Sequence, residues 1–193
     1  MAGFFSLSVI ADEGMWLPQL LKTMNESDMQ AHGLQMTAED LYSVNNSSLK
    51  DAIVSLGGFC TAEMISSEGL MLTNHHCAFG SIQEHSSVSN DYIKDGFWAM
   101  SRDEELVNEG LTASFLVSIE EVTARVLAEL TDDMTEKERS AKIREISKTI
   151  VDEKTEDTHY NARVKSFFGG NDFYIMTYET FKDVRLVGAP PSA

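Results

Sequence analysis

The feature that most constrains this chain is a hairpin bracketed by cysteines: Cys60, a strand-turn-strand pattern, then Leu72-Thr73-Asn74-His75-His76-Cys77. Ser55 to Ile65 reads as a strand entered through Gly57-Gly58. Ser66-Ser67-Glu68-Gly69 is a turn ending on Gly, and Leu70 to Asn74 is a second strand, so the two form a β-hairpin. The second strand runs straight into His75-His76-Cys77, and Ala78-Phe79-Gly80 reads as the turn that follows. Cys60 and Cys77 are the two cysteines of the chain. In an exported protein such a pair suggests one disulfide, worth about 3 kcal/mol by chain entropy. In a reducing cytosol it points to a metal or to chance.

A hairpin whose second strand delivers Thr-x-x-His-Cys is the arrangement around the general base of chymotrypsin-like serine proteases. The chemistry explains the residue types. A serine hydroxyl is a poor nucleophile at neutral pH and needs a base within hydrogen-bond reach. Imidazole titrates near the working pH, and it must be held in one geometry. On this reading His76 is the base, and a bridge from Cys77 to Cys60 on the preceding strand pins it. By spacing alone, two other readings stand beside it: a satisfied structural histidine, which is the commoner case, and a zinc site. The zinc reading is short of ligands. Its nearest further candidates are Glu84 and His85, and Cys60 has no close cysteine partner of the kind structural zinc sites favour.

The rest of the chain reads as alternating helical and β segments. Pro18 stands near a helix start, and Thr37 caps a helical turn rich in acids (Glu39, Asp40). Asn45 to Ser48 is a loop, and Leu49 to Ile53 a short helical piece. Asp91 to Ser101 is aromatic-rich and is expected to pack on the core. Leu111 to Ile119 reads as a buried strand, and Glu120 to Leu130 has helical spacing. A longer helix is predicted from Thr135 to about Glu153, with Ile143, Ile146 and Ile150 as its buried stripe. Phe167 to Met176 and Tyr178 to Val187 read as two further strands, and the chain closes on a Gly188-Ala189-Pro190-Pro191 turn.

Composition narrows the partners. The net charge is -16 over 193 residues, and an acidic surface of that kind disfavours nucleic acid. There is no apolar run of about 18 residues, so no membrane span is expected. Residues 1–11 carry an apolar stretch (Phe4, Phe5, Leu7, Val9, Ile10) and small residues at Val9 and Ala11. This resembles the end of a secretory signal peptide, without the basic stretch that opens one; the other reading is a buried first strand.

Several ordered motifs resemble the family S46 dipeptidyl peptidases. They are Asp12-Glu13-Gly14-Met15-Trp16, Gly57-Gly58-Phe59-Cys60-Thr61, Gly69 to Cys77, Ser81-Ile82-Gln83, Asp95-Gly96-Phe97-Trp98-Ala99 and Arg185 to Ser192. The resemblance runs through nearly all of the chain after residue 11. It implies an α+β fold, mainly β with helices: part of a chymotrypsin-like double β-barrel, with residues 12–193 as the N-terminal part of the catalytic domain. It implies a serine-type dipeptidyl aminopeptidase that releases dipeptides from free peptide N-termini, without metal or organic cofactor, exported to the periplasm or surface of a Gram-negative bacterium. Members of the family are similar in forming dimers. In the triad order His-Asp-Ser only the histidine is matched here, at His76, with the Asp and Ser expected beyond Ala193. Ala78 stands where the family pattern has Gly. Of the local acids, Asp91, Asp95 and Asp103 follow His76, and spacing selects none. Ser66, Ser67, Ser81, Ser86 and Ser87 read as loop serines rather than nucleophiles. On this reading the 193 residues alone are inactive; the competing reading is a non-enzymatic barrel module.

Overall fold

The structure, a computed structural model, describes residues 16–192. The signal-like residues 1–11 and the motif residues Asp12 to Met15 lie outside them. Pro18 opens a 3-10 turn at the first helical position, where its missing N–H costs nothing. Helices α1 (Leu21–Met24) and α2 (Glu26–Ala31) follow. Helix α3 (Ala38–Leu41) starts at a capping box: Thr37 Oγ1 accepts from the Asp40 N–H, and Asp40 accepts from the Thr37 N–H. A 3-10 turn at Leu49–Ala52 leads into strand β1 (Ile53–Leu56).

Here the structure departs from the sequence expectation. Gly57-Gly58 is not the entrance to one long strand but the reversal between β1 and strand β2 (Cys60–Met64). Both glycines sit in the left-handed region, at φ 60° and 78°, and Gly57 could carry no Cβ without meeting the Phe59 ring. Strand β3 (Met71–Thr73) pairs with β2 as anticipated, and Thr73 Oγ1 donates to the Thr61 carbonyl to fix the register. Helix α4 (His75–His85) follows at once, so Ala78-Phe79-Gly80 is helical rather than a turn.

Helix α5 (Tyr92–Asp95) and strand β4 (Phe97–Trp98) come next, then β5 (Leu106–Val107) and the long strand β6 (Ala113–Glu121). The aromatic stretch splits its duties: Phe97 packs inward against Tyr92, while Trp98 is 65% exposed. Helix α6 covers Thr123–Leu127, shorter than the helical spacing suggested because Glu120 and Glu121 belong to β6. Helix α7 (Glu136–Thr155) matches the expected span, with Ile150 buried and Ile143 and Ile146 packed beside it. Strands β7 (Asn161–Phe167) and β8 (Asp172–Phe181) form a hairpin. The expected break at Thr177 is absent: Thr177 is 2% exposed in the middle of continuous β8. Short strands β9 (Arg185–Leu186) and β10 (Gly188–Ala189) end the ordered pairing.

The architecture is α+β. Six strands form one antiparallel sheet in the order β3-β2-β1-β6-β8-β7, and two small ladders pair β4 with β10 and β5 with β9. Among the described residues the sheet is open, with β3 and β7 at its edges, which agrees with the expected part of a barrel. One core patch (Val54, Leu56, Ala62, Ala113) holds β1, β2 and β6 together. A second joins Leu17 and Tyr42 to Ile119 and Tyr174, where the Tyr42 hydroxyl accepts from the Ile119 N–H at 3.0 Å. A third docks α6 and α7 on β8 through Val126, Ile150, Phe173 and Ile175. The fourth seats α4 through Ile82 on Leu186 of β9 and Ala189 of β10.

Two separated motifs meet in that last seat. Gly96 has φ 78°, and a Cβ there would lie 2.8 Å from the Pro191 nitrogen. A Cβ at Gly188 would lie 2.6 Å from the Trp98 ring. Asp95-Gly96-Phe97-Trp98 and Gly188-Ala189-Pro190-Pro191 therefore need glycine where they cross, and the Ser192 N–H donates to the Ile93 carbonyl beyond the crossing. The brace so formed carries the helix that presents His76.

Candidate functional site

His76 stands in the first turn of α4, one residue after the helix begins and directly after the β2–β3 hairpin. Asn74 is the N-cap residue. Its carbonyl accepts from the Cys77 N–H at 3.0 Å, but its side chain makes no cap hydrogen bond. The strand register thus sets where the helix starts, and the helix start sets where the imidazole stands.

Cys60 opens β2 and Cys77 lies in the same helical turn as His76. Their Cα atoms are 6.0 Å apart and their sulfurs stand at disulfide distance. That spacing falls in the ordinary range for a bridge. His76 Nε2 lies 3.4 Å from Cys77 Sγ, and His76 is exposed. His75, equally exposed, turns the other way and meets the edge of Phe79 one helical turn on, with ring centroids 6.0 Å apart. The two neighbouring histidines therefore have distinct environments: one lies along its own helix, the other projects beside the sulfurs with its ring free of any carboxylate or hydroxyl partner in the hydrogen bonds of the described residues.

The other candidate residues fall elsewhere. Asp91 caps α5, accepting from the Lys94 N–H at 3.1 Å. Asp95 and Asp103 are exposed, and no hydrogen bond links either to His76. Ser66 accepts from the Glu68 and Leu70 N–H groups and so shapes the hairpin turn. Ser86 donates to the Ile82 carbonyl, and Ser87 faces Ser89. Ser81 belongs to α4 rather than to a loop. Among the described residues no serine and no acid is placed to complete a triad with His76.

Of the zinc candidates, His85 sits at the far end of α4, where Nε2 pairs with Oδ1 of buried Asn108 at 3.1 Å. Glu84 is exposed beside it. The atoms that do converge are Cys60 Sγ, Cys77 Sγ and a ring nitrogen of His76, all within 4.8 Å of one another. Asn108 escaped notice in the sequence because a lone Asn in a turn carries no signal. Thr73, which pins β3 to β2, was legible only as part of the Thr-x-x-His-Cys pattern.

Comparison with known proteins follows the geometry. The family model described as Peptidase S46 matches residues 11–193. An Asp/Glu-specific dipeptidyl-peptidase of Flavobacterium psychrophilum is 49% identical over 179 residues, covering 93% of this chain and 25% of the relative. A dipeptidyl-peptidase 7 of Capnocytophaga gingivalis is 47% identical over 194 residues, covering 99% of this chain and 27% of the relative. Among solved structures, Porphyromonas endodontalis DPP11 in complex with substrate superposes with a TM-score of 0.81 at 42% identity, covering 94% of this chain and 27% of that one. This chain spans about a quarter of the length of the curated relatives it matches.

Proposed function

We propose, on the premise that this chain belongs to the peptidase S46 family, that it is the His-bearing part of a serine-type dipeptidyl aminopeptidase and that His76 is its general base. The observation that carries the proposal is the placement of His76: an exposed imidazole fixed between a registered hairpin and a helix start, with Cys77 tied back toward Cys60. In the complete enzyme His76 takes the proton of a serine hydroxyl as that oxygen attacks the peptide carbonyl, then returns it to the leaving amine. An Asp carboxylate orients the ring and stabilises the imidazolium. Both groups come from outside residues 16–192, since no described acid or serine reaches His76. Backbone amides near the serine hold the oxyanion.

The substrate class is peptides with a free N-terminus. The relatives bear both the Asp/Glu-specific and the dipeptidyl-peptidase 7 names, and the proposal stops at that shared class. Neither metal nor organic cofactor takes part in the step. Export to the periplasm or cell surface is part of the proposal, supported by the signal-like residues 1–11 and by two cysteines placed to pair, as an oxidising compartment favours. No helix of the described residues is long and apolar enough to cross a membrane. The complete enzyme is proposed to work as a homodimer, which sedimentation of the complete protein tests by its mass. The Cys60–Cys77 bridge is tested by thiol titration of oxidised protein, where two free thiols would contradict it.

The experiment that tests the functional reading is a dipeptidyl chromogenic assay on the purified 193-residue chain. No turnover is expected. Turnover by this chain alone would contradict the placement of the acid and nucleophile outside it.

A further inference from the structure

Cys60 Sγ, Cys77 Sγ and a ring nitrogen of His76 form a convergent set of two sulfurs and one imidazole nitrogen within 4.8 Å of one another. A tetrahedral zinc ion, with bonds of about 2.3 Å to sulfur and about 2.0 Å to nitrogen, sets its ligand atoms about 3.5–3.8 Å apart. The distance of 3.4 Å from His76 Nε2 to Cys77 Sγ already lies close to such an edge. The Cα separation of 6.0 Å between the cysteines leaves room for two sulfurs to share an ion. We propose that the reduced form of this chain binds zinc or a similar soft divalent cation through Cys60, Cys77 and His76.

While the sulfurs are bonded to each other they offer no thiolate, so the site is closed. A phosphine with water opens it: two electrons from phosphorus and two protons from water pass to the bridge, the S–S bond breaks, two thiols remain on the protein, and the phosphine leaves as its oxide carrying the water oxygen. On binding the metal each thiol releases its proton to solvent. Three protein ligands leave a fourth position, and it faces water because His76 is exposed. Neither other nearby histidine fills it, since His75 is turned toward Phe79 and His85 toward Asn108.

Binding takes the Nε2 lone pair of His76, the pair with which an imidazole accepts a proton. If His76 is the base proposed above, the reduced, metal-loaded protein is silent as a peptidase. That consequence rests on the functional reading; the binding itself does not.

The test is metal titration of the 193-residue chain after anaerobic reduction with a phosphine and removal of the reductant. Cobalt(II) serves as the optical probe and zinc as the competitor. One equivalent is expected to bind, with thiolate-to-cobalt charge transfer and tetrahedral d–d bands, and the oxidised chain is expected to show neither. His76→Ala should weaken binding by about 100-fold, since losing even an outer partner of a ligand costs 10–100-fold. His75→Ala and His85→Ala should leave the affinity unchanged. Zinc should raise the melting temperature of the reduced chain and not of the oxidised chain. Should reduction unfold the chain, zinc should restore the far-UV circular dichroism of the parent and not of His76→Ala. Failure of the reduced chain to bind, equal binding by His76→Ala, or an equal loss with His75→Ala would each overturn the proposal.

Discussion

Helix α7 and helix α4 differ in what holds them. Helix α7 runs 20 residues behind a complete capping box, in which Thr135 accepts from the Glu138 N–H and Glu138 from the Thr135 N–H. Its stripe of Ile143, Ile146 and Ile150 meets Phe173 and Ile175, and its Lys154 reaches Glu120 on β6. Helix α4 runs 11 residues, has no side-chain cap, contains Gly80 and buries only Ile82 fully. Its start is fixed from outside, by the β2–β3 register and the Cys60–Cys77 link, and its underside by β9 and β10. The helix built from its own local signals carries no candidate chemistry. The helix that presents the imidazole depends on tertiary and covalent restraint, and its exposed first turn leaves the ring open to solvent.

Four perturbations probe that contrast. Ile150→Ala should cost about 3–4 kcal/mol by opening a cavity against Val126, Phe173 and Ile175, read as a fall in the denaturant midpoint. The double variant Cys60→Ser, Cys77→Ser should cost about 3 kcal/mol. Hydrogen exchange should show its effect concentrated in α4 with α7 still protected; uniform loss in both helices would break the distinction. Thr135→Ala should cost about 1 kcal/mol and fray the start of α7 alone. Lys154→Met should cost less, below about 1 kcal/mol, because both side chains are partly exposed. Its pH dependence has a fixed sign. The hydrogen bond from Lys154 holds the Glu120 carboxyl below its usual range, against a smaller opposing effect of burial. A carboxyl held low stabilises the fold above its ordinary pKa and loses that contribution as pH falls through the lowered value. The difference between parent and variant should be full at neutral pH and fall away as the pH drops through that lowered value.

The same contrast governs what could be read from the residues. Helix α7, strand β6, the Thr37 cap and the β2–β3 hairpin were legible because periodicity, a capping residue or a turn signal marks each one. In α4 the residues Ala78-Phe79-Gly80 read as a turn because Gly80 is a poor helix former, Asn74 makes no side-chain cap, and the helix is held by contacts distant in sequence. Gly57-Gly58 reads equally as the entrance to a strand or as a reversal, and only the pairing of β1 with β2 decides between them. Strand β8 was split at Thr177, a polar residue that the fold buries. Strand β7 went unnoticed because Asn161, Arg163 and Lys165 dilute its alternation with Ala162 and Val164. The Thr-x-x-His-Cys pattern selects His76, and the structure adds that His75 turns toward Phe79.

The most direct test of the central claim compares kcat/KM for His76→Ala and His75→Ala, each made in the complete peptidase of which this chain is proposed to be part. The account predicts a loss of roughly 10⁴-fold or more for His76→Ala, an unchanged melting temperature, and near-parent activity for His75→Ala. Activity retained by His76→Ala, or lost through His75→Ala instead, would contradict it.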